Sequence, residues 1–81
     1  MTRREFLRTM ERYGIPPYAY CLDGGYPSER YCIAPSGKGW KYYYSERGHE
    51  NDVKLFATEG KALKYLCQVL IETYRTIRRP F

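Results

Sequence analysis

Four titratable side chains fall within five positions of the segment "GWKYYYSERGHE", residues 39–50: Glu46, Arg47, His49 and Glu50. A carboxylate or imidazole that takes the proton of a ribose hydroxyl, beside a guanidinium that holds the phosphate, is the equipment of a metal-independent ribonuclease. The same residue types also fill an ordinary polar hairpin loop. His49 is the only histidine in the chain, and no spacing sets a second acid–base group on the far side of a phosphate. "PSGKG", residues 35–39, is too short for a phosphate-binding Walker loop and reads as a turn. The expectation is therefore a protein that is not an enzyme and uses no cofactor.

The cysteines point the same way. Cys21, Cys32 and Cys67 are three, an odd number, and none falls in a C-x-x-C pair, which speaks against a disulfide framework or a zinc site. They read as reduced, part-buried thiols, with a Cys21–Cys32 bridge across neighbouring strands open to the chain under oxidising conditions.

The elements that must position these residues follow from periodicity. Residues 2–13 read as a helix: Thr2 and Glu5 are spaced as a capping box, and Phe6, Leu7, Met10 and Tyr13 recur every three or four positions. Gly14 ends it and "IPP" prevents a restart. Arg4, Arg8 and Arg12 form a basic stripe on the other side, which reads first as a solvated face. Between Gly14 and Thr58 the period becomes two, with breakers at "LDGGYPSE", "APSGKG" and "ERGHEND". Strands are expected near 18–22, 30–34, 40–46 and 53–56, joined as an antiparallel meander. Tyr31, Ile33, Trp40, Tyr42, Tyr44, Val53 and Leu55 would face the core, leaving Arg30, Cys32, Lys41, Tyr43, Ser45 and Lys54 on the open face. Thr58 caps a last helix whose stripe is Ala62, Leu63, Leu66, Val69, Leu70 and Ile77, and Pro80 stops it. The fold class is α+β: a three- to four-stranded antiparallel sheet with an N-terminal and a C-terminal helix on one face, in a single domain spanning residues 1–81.

No apolar run reaches the roughly 20 residues a bilayer crossing needs, and the N-terminus lacks the apolar stretch of a secretory signal. A cytoplasmic location and no membrane partner are expected. The formal charge of +5 invites a nucleic acid or an acidic protein, although it is spread out rather than gathered, with only the ends "TRREFLR" and "RTIRRPF" clearly basic. Lys41 and Tyr43 on an outward sheet face match the stacking-plus-charge arrangement that single strands use. Tyr, Trp and Arg are equally the residues of protein-binding hot spots. Composition does not separate the two.

The succession "LDGGYPSERYCI", "GWKYYYSERG" and "LFATEGKALKYLCQVL" resembles small bacterial immunity proteins of polymorphic toxin and contact-dependent growth inhibition systems. The likeness runs from Tyr13 to Leu70, and Tyr43-Tyr44-Ser45-Glu46-Arg47-Gly48 is its most specific piece. What the resemblance implies is a protein that binds and blocks one cognate toxin, the C-terminal domain of a larger secreted protein. Tyr43 and Arg47 would then be anchors, and Asp23, Glu46 and Glu50 would supply charge, with Ser45 and His49 in the same contact. Glu46 and Arg47 could instead tie the hairpin together. An inhibitor that plugs a nuclease groove would be acidic, and this chain is basic. Three resolutions stay open: the toxin is not a nuclease, the contact avoids the active site, or Asp23, Glu29, Glu46, Glu50 and Asp52 make it. An uncapped edge strand allows a monomer or a weak dimer of the free protein.

Overall fold

The computed structural model describes residues 1–78, with side chains described for residues 1–75. Helix α1 (Arg3–Tyr13) leads through a single 3-10 turn (Pro17–Ala19) into four strands, β1 (Tyr20–Cys21), β2 (Arg30–Ser36), β3 (Gly39–Glu46) and β4 (His49–Phe56), and then into helix α2 (Glu59–Arg78). The sheet order is β1-β2-β3-β4, with β2–β3 and β3–β4 antiparallel. The α+β architecture is as expected, with both helices against one face.

Both helices start, and α1 stops, where the sequence signals it. Thr2 accepts from the Glu5 amide at 3.1 Å while Glu5 accepts from the Thr2 amide at 2.9 Å, a complete capping box. Gly14, at φ 68°, takes the left-handed conformation that ends α1. The Ile15 amide then reaches back to the Met10 carbonyl at 2.9 Å, so both residues enter the core together. Thr58 caps α2 through its hydroxyl, which accepts from the Lys61 amide at 3.2 Å. Phe6, Met10, Ile33, Tyr42, Leu63, Leu66 and Leu70 are the centre of the helix–sheet core, each at most 3% exposed. Leu7 and Tyr13, expected inside, are 46% and 47% exposed. A helix this short buries one narrow line against α2 and Tyr20, and these two flank that line. Ile77 and Pro80, the expected end of the stripe and its stop, lie outside the described side chains and residues respectively.

Three features of the sheet differ from the periodic reading. First, β1 is parallel to β2, with Tyr20 beside Tyr31 and Cys21 beside Cys32. Its connection, Leu22–Glu29, carries no helix, so it has to double back directly across the sheet. Second, β4 begins at His49, because the turn is only Arg47-Gly48; both have positive φ, 51° and 78°, as a two-residue type I′ hairpin requires. Third, β4 carries one extra residue. Tyr42 pairs with Lys54 but Tyr44 pairs with Asn51, so Tyr43 faces both Asp52 and Val53, and Asp52 absorbs the excess at φ 56°. Since side-chain direction alternates, one inserted residue sends everything after it to the other face. Val53 and Leu55 therefore point away from the helices, 44% and 73% exposed, and Phe56 packs on the core in their place. Lys54, expected on the open face, takes the helix side opposite Tyr42.

Candidate protein interface

The face opposite the helices is half roofed. Leu22–Glu29 crosses it as a lid, and Gly24 is where it comes closest: a Cβ there would stand 3.1 Å from the Ala34 Cβ, and its φ of 72° already disfavours a side chain. The Gly24 amide donates to the Ile33 carbonyl at 3.1 Å, extending the β2 edge. The Tyr43 hydroxyl donates to the Gly25 carbonyl at 2.6 Å, and the Cys21 thiol lies 3.3 Å from the Gly24 carbonyl. Beneath this lid Cys32, Ala34 and Tyr43 form a second, small core.

That lid corrects the expected contact surface. Tyr43 faces away from the helices, as expected, but at 1% exposure it is a core residue and cannot anchor a partner. Burial drives its phenol well above the usual range, with smaller contributions from Cys32 and Glu50. Ser45 is also fully buried, and its hydroxyl has no partner among the described residues. Glu50 lies opposite Ser45 and is taken up by Lys41 at 2.7 Å; the same ammonium sits 5.1 Å from the centre of the Tyr43 ring. The stacking-plus-charge pair of Lys41 and Tyr43 is thus not presented to solvent. Asp23 is exposed but belongs to the other end of the sheet, where Arg3 bridges it at 3.4 Å and Glu59, at the start of α2, at 2.8 Å. The length of β4, on the order of 25 Å for its eight residues, separates that end from the hairpin turn.

The hairpin turn does gather the other expected residues. Glu46 and His49 face each other across it, with Arg47 between, and all three are exposed. Glu46 and Arg47 make no ion pair with each other among the described residues. Glu29 joins this end: it and Glu46 both lie close enough to Tyr44 to push its phenol upward, although burial is the larger cause. Tyr44 itself packs on Tyr31 with ring centres 4.7 Å apart. Two acids, a half-buried tyrosine pair, an arginine and a histidine therefore share one end of the molecule. Among the described residues, no three metal-ligating side chains converge anywhere, and no helix is long and apolar enough to cross a membrane.

Periodicity found only the second half of the strand next to this turn, residues 53–56, and gave Val53 and Leu55 the wrong face. β4 is the free edge of the sheet, exposed along most of its length, and it presents Val53, Leu55 and an unpaired backbone row. At its far end Trp40, Leu55 and Phe56 line a shallow groove with the Gly37-Lys38 turn. The signal available in the sequence was the alternation of "NDVKLF" itself, which places apolar residues on one face without saying which.

Comparison of the chain with models of known protein families, with curated proteins and with solved structures finds no match.

Charge is partitioned between the layers. The segments that form α1 and α2 hold eight basic and four acidic residues, whereas the span from Gly14 to Thr58 holds five of each. The net positive charge lies with the helices, and the strands and their loops taken together are balanced.

Proposed function

We propose that this protein is a non-enzymatic binding domain of the immunity type, which holds a cognate toxin domain along the β4 edge and the adjoining Glu46–His49 turn. The observation that carries this reading is the open edge strand with Val53 and Leu55 exposed beside a turn of mixed charge. A partner strand laid along β4 would gain main-chain hydrogen bonds, while Leu55 fills a pocket and Arg47, Glu46 and His49 fix the register. Balanced charge across the strands and their loops also suits a protein partner whose contact is not a basic groove, leaving the positive helices turned away. Support is weaker for a nucleic-acid-binding domain, because Tyr43 is beneath the lid and Lys41 is engaged by Glu50.

The test is capture of the tagged protein's partner from its host lysate, with and without nuclease, followed by expression of that partner alone and together with this chain. The expected result is one nuclease-insensitive partner that is harmful alone and tolerated in the presence of the chain. Leu55→Lys, in a variant that melts like wild type, should weaken capture by about 30-fold or more. Retention that vanishes with nuclease, or a Leu55→Lys variant that binds normally, would overturn the reading.

A further inference from the structure

Cys21 and Cys32 occupy directly paired positions on β1 and β2, and both point into the small core beneath the lid. Neighbouring strands run about 4.8 Å apart, inside the roughly 4.4–6.8 Å that separates the α-carbons of bridged cysteines. Both thiols are free, and they differ in access: Cys21 is half-buried and Cys32 is completely buried. Cys67, the third cysteine, is in α2 within the helix-side core, on the other side of the sheet, and cannot compete for either. We propose that Cys21 and Cys32 are a dithiol site that reacts with low-molecular-weight disulfides of the glutathione class, Cys21 attacking to form a mixed disulfide and Cys32 resolving it into a Cys21–Cys32 bridge beneath the lid.

The electrons balance in two exchanges. The Cys21 thiolate attacks the small disulfide, forms one S–S bond and releases one small thiol. Cys32 then attacks the Cys21 sulfur of that mixed disulfide, loses its proton to solvent and expels the second small thiol. Two protein thiols are oxidised and one small disulfide is reduced. The first exchange falls to Cys21 because it alone is accessible, and the lid meets the reagent there, through the Cys21 contact with the Gly24 carbonyl. The second exchange is the slow one. Burial, with the neighbouring Cys21 adding to it, pushes the Cys32 thiol up to about 12, so little thiolate is present at neutral pH. The product ties Leu22–Tyr31 into a closed loop and removes the Cys21 proton donor from the Gly24 carbonyl, so the lid is held covalently instead of by weak local contacts. The site is independent of the partner proposed above.

The experiment treats the folded protein with oxidised glutathione, quenches with acid and measures intact mass without reductant, followed by proteolysis after Arg30, which puts the two cysteines on different peptides. The expected product has lost two hydrogens and links the Cys21 and Cys32 peptides, and its closure rate rises about tenfold per pH unit from neutrality to about pH 9. Cys32→Ser, or Cys32→Ala if the serine variant is unfolded by circular dichroism, should stop at a glutathione adduct on Cys21. A wild-type protein that accumulates a stable Cys21 adduct without closing, a bridge to Cys67, or a bridge formed only after denaturation would overturn the proposal.

Discussion

Tyr42 and Tyr43 are neighbours in the chain and both are almost completely buried, but different things bury them. Tyr42 lies under α2, edge-on to Tyr65 with ring centres 4.8 Å apart, in a core of twelve buried residues among those described. Tyr43 lies under a loop, with Cys32 and Ala34 as its buried apolar neighbours and one hydrogen bond to Gly25. The helix side is held by many contacts, each small; the lid side is held by a few, each of which matters. Local opening of the lid therefore requires far less than unfolding, and it is the part of the molecule whose state a single side chain can set.

The largest loss is expected at Tyr42. Tyr42→Ala should cost about 3–5 kcal/mol, read as a lower urea midpoint, because α2 cannot collapse into the void without losing its other contacts. Alkali acts on both tyrosines at once. Burial raises both phenols, so the folded state keeps them neutral; the stability these two contribute is intact below the ordinary tyrosine value of about 10 and is lost as pH rises above it, on top of a shallower loss from the buried Cys32 thiol that starts near pH 9. The unfolding free energy from urea titrations should fall steeply above about pH 10, by up to about 2.7 kcal/mol per pH unit for the pair, and Tyr42→Phe or Tyr43→Phe should each remove about half of that contribution. Gly24→Ala, forced into a left-handed conformation against Ala34, should cost about 1–2 kcal/mol, with amide exchange accelerating in Leu22–Glu29 and not in α2. At neutral pH, Tyr43→Phe gives up the bond to Gly25 and the weaker contact of its hydroxyl with the Cys32 thiol, about 1 kcal/mol, with the same loop-confined exchange signature. Ser45→Ala is the smallest change. Its hydroxyl is buried and unpartnered among the described residues, so the melt should be unchanged or slightly raised, and partner capture should not move.

Local chemistry accounts for what the sequence made readable. Thr2 with Glu5, Gly14, and Thr58 mark helix ends because caps act within a turn of the residue that makes them. The β2 and β3 strands follow from alternation, and the class of fold follows from those elements in that order. What was not readable depends on pairing across the chain. Nothing about Asp52 announces that it will absorb an extra residue, yet that insertion alone turns Val53 and Leu55 from core to surface. Asp23-Gly24-Gly25 looks like a turn, and only the parallel alignment of Cys21 with Cys32 makes it a lid. Of the expected contact residues, Glu46, Arg47 and His49 are exposed together at the hairpin, since a two-residue turn keeps its neighbours adjacent. Tyr43, Ser45 and Glu50 are withdrawn by the lid, by burial and by Lys41, and Asp23 is at the other end.

The chain has ten tyrosines but one tryptophan, and Trp40 is half-buried in the groove at the far end of β4, paired with Phe56 and beside Leu55. This gives the molecule a built-in optical reporter that is sensitive to position. A ligand strand that runs the full length of β4 would cover the indole and shift its emission to shorter wavelength, whereas one that engages only the Glu46–His49 turn would leave the spectrum as it is. A fluorescence titration of the unlabelled protein thus reads out where along the edge a partner sits, as well as whether it binds.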